Sequence, residues 1–451
     1  MRPFKGIHRS LSNMQPAILR CPPSTSGRTA AIAAMLFLFA APAVPQQFGV
    51  RYVVSLEDRS PPTAMVRWEL AGAEEIERIT LRFRSVEPTD LQSSGTLTKD
   101  GSVYVWHPAK PYAHLTYRVA VNSVRGKQER FDSYAGPRWM VSRARQLFPL
   151  VGLWYRSPEG HLAPSEHPNT RATLAFQVPR GWRCATIYPS RGENLFEIEG
   201  SRPFRTPRGW FACGRLQTEA REIAGVRFEI VQASGSETNS EEIFNFLEPT
   251  FPLLHRLLGY RAPRILIVRA PDPMWHGGIS GENSFFIHAQ RPLRDVDKTS
   301  PYLHELFHVL QPFKPAADAD WIVEGLAEYY SLELQRRAGL LDERTFSKGL
   351  RFFERYGRWD VDLRTQKDNA ATNNTAPLVL YALDQRIQRL TAGKARLDDV
   401  VRLLAKQRHR VDSNAFQRAA ETVAGKPLTR FFRKYVKEGA RPVMNRAGQA
   451  E

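Results

Sequence analysis

Between residues 48 and 150, apolar side chains alternate with polar ones in short runs: FGVRYVVSL, TAMVRWEL, ITLRFRS, VYVWH and LTYRVAV. Polar and glycine-containing turns separate these runs, which are rich in β-branched and aromatic residues, as half-buried strands are. Strands at this spacing predict a β-sandwich-like N-terminal domain. Residues 151–235 continue with ATLAFQVP, CATIYPS, GWFACG and VRFEIVQAS but hold more Pro, Gly and Arg. The pattern leaves them either at the end of the first domain or in the sheet of the second. From residue 240 the period changes. SEEIFNFLEPTFPLLHRLLGY reads as a helix kinked or divided by Pro249 and Pro252. RILIVRA and ENSFFIHAQ read as strands, the second reached through a flexible glycine-rich run at 277–281. Beyond about residue 300 the pattern is helical over 301–311, 321–338, 343–356, 376–391, 396–407, 412–423 and 427–438. The plan is an α+β multidomain chain with a β-rich front half and a mostly helical back half.

A chain of 451 residues exceeds one compact core. Its apolar and charged fractions, 42% and 24%, are those of an ordinary globular protein. The net charge of +18 is spread along the chain, without a Lys/Arg run of five or an aromatic RNP pattern, so no nucleic-acid partner is expected. The segment TAAIAAMLFLFAAPA, residues 29–43, has the length of a signal-peptide apolar region. Basic residues and no acids precede it, and Ala41-Pro42-Ala43 fits a small-x-small cleavage site. Residues 1–43 are therefore expected to direct export to the periplasm or beyond. A membrane partner enters only if this leader stays uncleaved as an N-terminal anchor. In the exported part Cys184 and Cys213 either pair or remain as two buried thiols.

The chemistry concentrates in SPYLHELFHVLQPF, residues 300–313. Ser300 and Pro301 suit a helix start, and Pro312 ends it. On that helix His304 and His308 are one turn apart, so both imidazoles leave one face and can hold one zinc ion. Glu305, turned by about 100°, stands beside the metal as the general base for its water. The next helix, capped by Asp318 or Asp320, reads WIVEGLAEYYSLELQRRAGL. Its Glu324 can supply the third ligand, and Glu328, one turn on, can accept the remaining N–H of His304. The plain alternative for these two acids is a solvated face, but Trp321, Ile322, Val323, Leu326 and Tyr330 surround them. Buried carboxylates need partners, which a metal and a histidine provide. His276 and His288 are expected to serve in loops or packing.

These residues carry a resemblance. HELFH followed by WIVEGLAEYYSLELQRRAGL resembles the gluzincin metallopeptidases, and most closely the glycyl aminopeptidase family. The match is specific from about residue 300 to 345. It implies a thermolysin-like catalytic domain (236–345); the helical pattern beyond it is expected to form a C-terminal domain (346–440), followed by a disordered tail (441–451). The resemblance further implies one Zn2+ on His304, His308 and Glu324, with Glu305 as base and a peptide or protein as substrate. Glu282 and Asn283 resemble the end of the aminopeptidase motif whose glutamate holds the substrate amine, and with Gly278 they mark the expected substrate-edge strand. Three departures accompany the resemblance. The family's C-terminal PDZ module is not expected here. The gap from His308 to Glu324 is shorter than in the family. The family's oxyanion-stabilising tyrosine falls at about Asn373, which leaves Tyr381, Tyr329 and Tyr330 as replacements. The function implied is an exported zinc metallopeptidase, aminopeptidase-like; the alternative is a catalytically weak gluzincin-fold binding or scaffold protein of the cell envelope.

Overall fold

The structure is a computed structural model that describes residues 48–57, 60–126, 129–156, 160, 162–164, 170–199, 205–236, 239–259, 262–367, 371–407 and 410–443. The leader at 1–43 and the expected tail from 444 onward lie outside these residues. No helix among the described residues is long and apolar enough to cross a membrane.

The front half is built from three sheets. The largest has seven strands, with Gly49–Glu57 paired in parallel to Arg171–Gln177 and antiparallel to Thr63–Ala71. Its alternation is strict: Ala64, Val66, Trp68 and Leu70 are buried along Thr63–Ala71, and Arg67 between them is exposed. Period-two burial of this kind lets one face of each strand enter a shared core. Residues 171–214 join these front sheets, whereas Gln217–Ile223 and Val226–Gln232 open a separate sheet. Cys184 and Cys213 face each other across the antiparallel pair Arg183–Ala185 and Trp210–Gly214, and a disulfide joins them.

That separate sheet positions the site. Its order is Gln217–Ile223, Val226–Gln232, Arg264–Ala270, Ser284–His288, Gly278–Gly281, with the last strand on an edge. Phe228, Ile230, Ile265, Ile267, Phe285 and Ile287 enter the helical core. Val231, Leu266, Val268, Ala270 and Phe286 point the other way, into the core of the front sheets. A sheet covered on both faces requires unbroken apolar strands, and this accounts for RILIV. The arginine that follows, Arg269, is 1% exposed and donates to the Tyr302 hydroxyl and the Ala289 carbonyl, tying the HELFH helix to the sheet.

One local expectation changes. Ser240–Leu258 is one continuous helix containing both Pro249 and Pro252. Each internal proline costs about 3 kcal/mol, but ten buried side chains on this helix, Phe244, Leu247 and Phe251 among them, outweigh that. The glycine-rich run at 277–281, flexible by composition, holds the strand Gly278–Gly281, paired antiparallel to Ser284–His288 on the sheet edge, where the resemblance expects it.

Candidate metal centre

The HELFH helix runs Pro301–Leu310. As expected, Ser300 holds the cap position and the helix starts on Pro301, although the buried Ser300 hydroxyl makes no capping bond. Tyr302, Leu303, Leu306, Phe307 and Leu310 fill the core, which turns His304 and His308 outward. The following helix is Asp320–Arg337, and neither Asp318 nor Asp320 caps it with a side chain. Asp318 instead accepts from the Ser413 backbone N–H, and Asp320 pairs with Lys367. Gly325 lets the helix approach Ala376–Leu390, since a Cβ there would lie 2.7 Å from the Ala376 Cβ.

His304, His308 and Glu324 converge. The two imidazole Nε2 atoms are 3.0 Å apart, and the Glu324 Oε2 lies 3.4 Å from the first and 3.5 Å from the second. Tetrahedral zinc with ligands at 2.0–2.2 Å separates its donor atoms by about 3.3–3.5 Å. Donor type, number and spacing therefore fit zinc, which His304, His308 and Glu324 would hold at the wall of one cavity. Two ring nitrogens this close to each other and to a carboxylate need a proton or a cation among them.

The electrostatics agree. Burial disfavours a charged His304, but the charge of Glu328 and the adjacent Glu324 carboxylate overcome this and push its pKa well above the usual imidazole value. Burial pushes Glu324 up, yet the His308 charge and hydrogen bonds from both rings hold its carboxyl well below the usual range. Three carboxylates around two imidazoles thus favour positive charge at their centre. Glu305, 7% exposed, is pushed up by burial, with His304 and His308 offsetting part of the rise. Gly278 makes room for it: a Cβ there would lie 2.7 Å from the Glu305 Cγ and Oε1. Glu328 Oε1 lies 3.2 Å from His304 Nδ1, with the ring N–H aimed off the oxygen, and accepts from Asn373 Nδ2 at 3.0 Å. Asn373 sits on a π-helical turn, Ala371–Thr375. All of these groups line one cavity of about 570 Å³.

Other expected site residues go elsewhere. The Tyr329 hydroxyl donates to Asp384 at 3.0 Å and that of Tyr330 to Asp398 at 3.1 Å, both in the helical core. Tyr381 packs 5.9 Å from Phe346, ring centre to ring centre. None of the three lines the cavity, because their helices turn them into the core. Glu282 and Asn283 form the turn of the 278–288 hairpin, with Asn283 left-handed at φ 46°. Neither lines the cavity, and Glu282 borders a different one.

Sequence reasoning passed over Arg125, Trp275, Ser280 and Lys367, which loops and strand ends bring to the cavity. It placed His276 in a loop or packing role; His276 lines the cavity, with its Nε2 2.7 Å from Asp272 Oδ1. His288 lies beside it, its ring centre 4.0 Å from that of His276. Asp272, His276 and His288 are close enough to share a cation. However, His288 Nδ1 accepts from the Gln290 N–H, which leaves the proton on Nε2, and Arg130 already pairs with Asp272. Burial, then the neighbouring His276, push His288 down to about 4, so it is a neutral packing residue at neutral pH.

Strand-rich front, doubly covered sheet and helical back, with the HELFH helix against the sheet, make up the two-domain M1 peptidase-like fold. The chain is similar in structure to an aminopeptidase N family protein from Idiomarina loihiensis, with a TM-score of 0.65 at 14% identity, over 88% of this chain and 77% of that one. It is similar to an M1 zinc metallopeptidase from Deinococcus radiodurans, with a TM-score of 0.55 at 17% identity, over 88% and 94%. A mutant of the Deinococcus enzyme bound to the substrate Tyr-Ser-Ala scores 0.57 at 16% identity, over 88% and 95%. At these identities the likeness is one of fold. No family model matches the sequence, and no curated protein matches it.

Proposed function

We propose that this chain is an exported zinc-dependent metallopeptidase that hydrolyses peptide bonds. One observation carries the reading: the donor atoms of His304, His308 and Glu324 lie 3.0–3.5 Å apart beside the buried Glu305. Bound zinc would polarise a scissile carbonyl and acidify water at that point. Glu305 takes the proton from the attacking water and delivers it to the leaving amine. Its raised pKa suits a group that must both accept and return a proton. Glu328, braced by Asn373, orients the His304 ring. The fold likeness to zinc metallopeptidases, one of them bound to a tripeptide, supports a peptide substrate. The Cys184–Cys213 disulfide supports an oxidising compartment, in keeping with the leader.

The aminopeptidase half of the reading rests on fold likeness alone. Glu282 lies outside the cavity, and among the described lining carboxylates Asp295 is engaged by Arg291 and Asp320 by Lys367. No described acid in the cavity is left over for a free amine, which favours cleavage within chains. A second reading, a metal-holding scaffold with weak turnover, draws on the absence of a tyrosine from the described cavity lining. Metal analysis of the purified protein together with a peptide-library digest separates the two. Zinc at one per chain with cleavage that disappears in Glu305→Gln supports the peptidase. Zinc without cleavage supports the scaffold, and cleavage retained in Glu305→Gln removes the base assignment.

A further inference from the structure

A second cavity, of about 420 Å³, lies at the other end of the strand that borders Glu305. Arg84, Arg143, Arg145 and Arg208 line it, and among the described residues Glu282 is its single lining carboxylate. Arg84 and Arg145 make no hydrogen bond or ion pair among the described residues. Arg143 shares Asp132 with Arg125, the two guanidinium groups approaching it to 3.8 and 3.1 Å. Burial, and next the charge of Arg145, push Arg143 down to about 10. Arg84 and Arg145 are exposed at the mouth of this hollow, with Asp132 offsetting part of the charge of Arg145, and guanidinium groups gathered in this way favour an incoming anion that supplies acceptors for their N–H groups.

The position of this cavity identifies the anion. Gly278 contacts Glu305, whereas Gly281 and Glu282 border the arginines. The strand between them is on the sheet edge, and three residues of strand rise about 10 Å. Trp210 lines the arginine cavity and ties it to the strand: its indole N–H donates to the Ile279 carbonyl at 3.0 Å, and the Arg143 guanidinium lies 5.6 Å above its ring. The negative charge of Glu305 also reaches Arg143. An extended peptide that adds to this edge passes from Glu305 to the arginines in about three residues. We infer that the arginine-lined cavity is a subsite for an acidic side chain of the peptide substrate, about three residues from the scissile bond. The inference rests on the peptidase reading.

The test uses the full-length Glu305→Gln protein, so that peptides bind without being cut. Calorimetry is run on a hexapeptide series in which one Glu is moved along the chain, each paired with its Gln counterpart. The expected result is about tenfold tighter binding of the Glu peptide at one position only, the scale of one charge-assisted hydrogen bond. Adding Arg145→Ala or Arg84→Ala should erase the Glu-over-Gln ratio, and Arg145→Glu should turn it toward a Lys peptide. Inorganic phosphate should compete with the Glu peptide and not with its Gln counterpart. Equal binding of Glu and Gln peptides at every position overturns the subsite. So does a preference that survives both alanine substitutions, or phosphate that weakens both peptides equally. Cleavage by the unmodified enzyme is scored separately: discrimination without cleavage removes the peptidase reading and leaves the anion site, and cleavage without discrimination does the reverse.

Discussion

The helix Asp320–Arg337 carries two acidic clusters on opposite faces, and they differ in what neutralises them. Glu333 stands about 180° around the helix from Glu324. It is 1% exposed and accepts from Arg336 at 2.8 Å, Arg337 at 2.7 Å and Arg396 at 3.0 Å. Arg337 and Arg396 extend the network to Asp398 and Asp384, so three guanidinium groups serve three carboxylates. Burial pushes Glu333 up, but its hydrogen bonds from Arg336 and the charge of Arg337 outweigh this and hold its carboxyl below the usual range. On the other face, Glu305, Glu324 and Glu328 gather around two imidazoles with Asn373 as an extra donor. The first cluster is complete within the chain. The second favours positive charge at its centre, and this imbalance separates a candidate cation site from a structural ion network of the same residue types.

The largest effect expected is on turnover. Glu305→Gln should retain zinc, measured by elemental analysis, and lower peptide cleavage by about 10²–10⁴, the usual contribution of a general base. Equal cleavage would put the base elsewhere and leave Glu305 a packing residue. The opposite face should respond in the opposite currency. Glu333→Ala leaves three partly buried guanidinium groups short of an acceptor and should destabilise the protein by about 3–5 kcal/mol in denaturant unfolding. Zinc per folded chain should not change. Loss of metal in that variant would mean that the two faces are one coupled network.

An intermediate effect sharpens the contrast. Glu328→Gln keeps the side chain's shape and its reach to Asn373 but weakens its hold on the His304 ring. Zinc affinity should fall by about 10–100-fold, as for other groups that orient a liganding histidine. Competition with a chelator reads this directly. Because zinc displaces the protons that the imidazoles otherwise hold, binding should also release protons, seen as buffer-dependent heat in calorimetry. An unchanged affinity would reduce Glu328 to a brace for Asn373.

How much of this was legible before the fold depends on where the signal lies along the chain. The helix pair bearing HELFH and the Glu324–Glu328 spacing were readable because one helical turn fixes which side chains share a face. The strands with apolar alternation, Thr63–Ala71 among them, were readable for the same kind of reason. Gln217–Ile223 was not, since its exposed edge residues TEA give no alternation. The strand Gly278–Gly281 shows no apolar pattern, because its glycines carry little strand preference, and it was expected from the family resemblance alone. Arg125, His276 and Ser280 meet only through tertiary contacts between distant segments, so no local spacing could announce them. The arginine cavity likewise joins residues from position 84 to position 282.

The tyrosines give the smallest expected effect and the finest discrimination between the two faces. The family resemblance makes Tyr329 and Tyr330 candidates for the reacting carbonyl, but each hydroxyl donates instead to a buried aspartate of the completed network. Asp384 also accepts from the Leu397 N–H at 2.7 Å and Gln388 at 2.9 Å, and Asp398 from Arg337 at 2.7 and 3.0 Å. Each acid therefore keeps other donors when a phenol is removed. Tyr329→Phe and Tyr330→Phe should each cost about 1 kcal/mol in unfolding, the net worth of one hydrogen bond. Peptide turnover should stay within about twofold, and Tyr381→Phe should change it no more. A fall of about 10²–10³ in turnover at unchanged stability is the signature of a lost oxyanion donor. Seen in any of the three, it would carry that hydroxyl across to the metal-facing side and undo the separation of the two clusters.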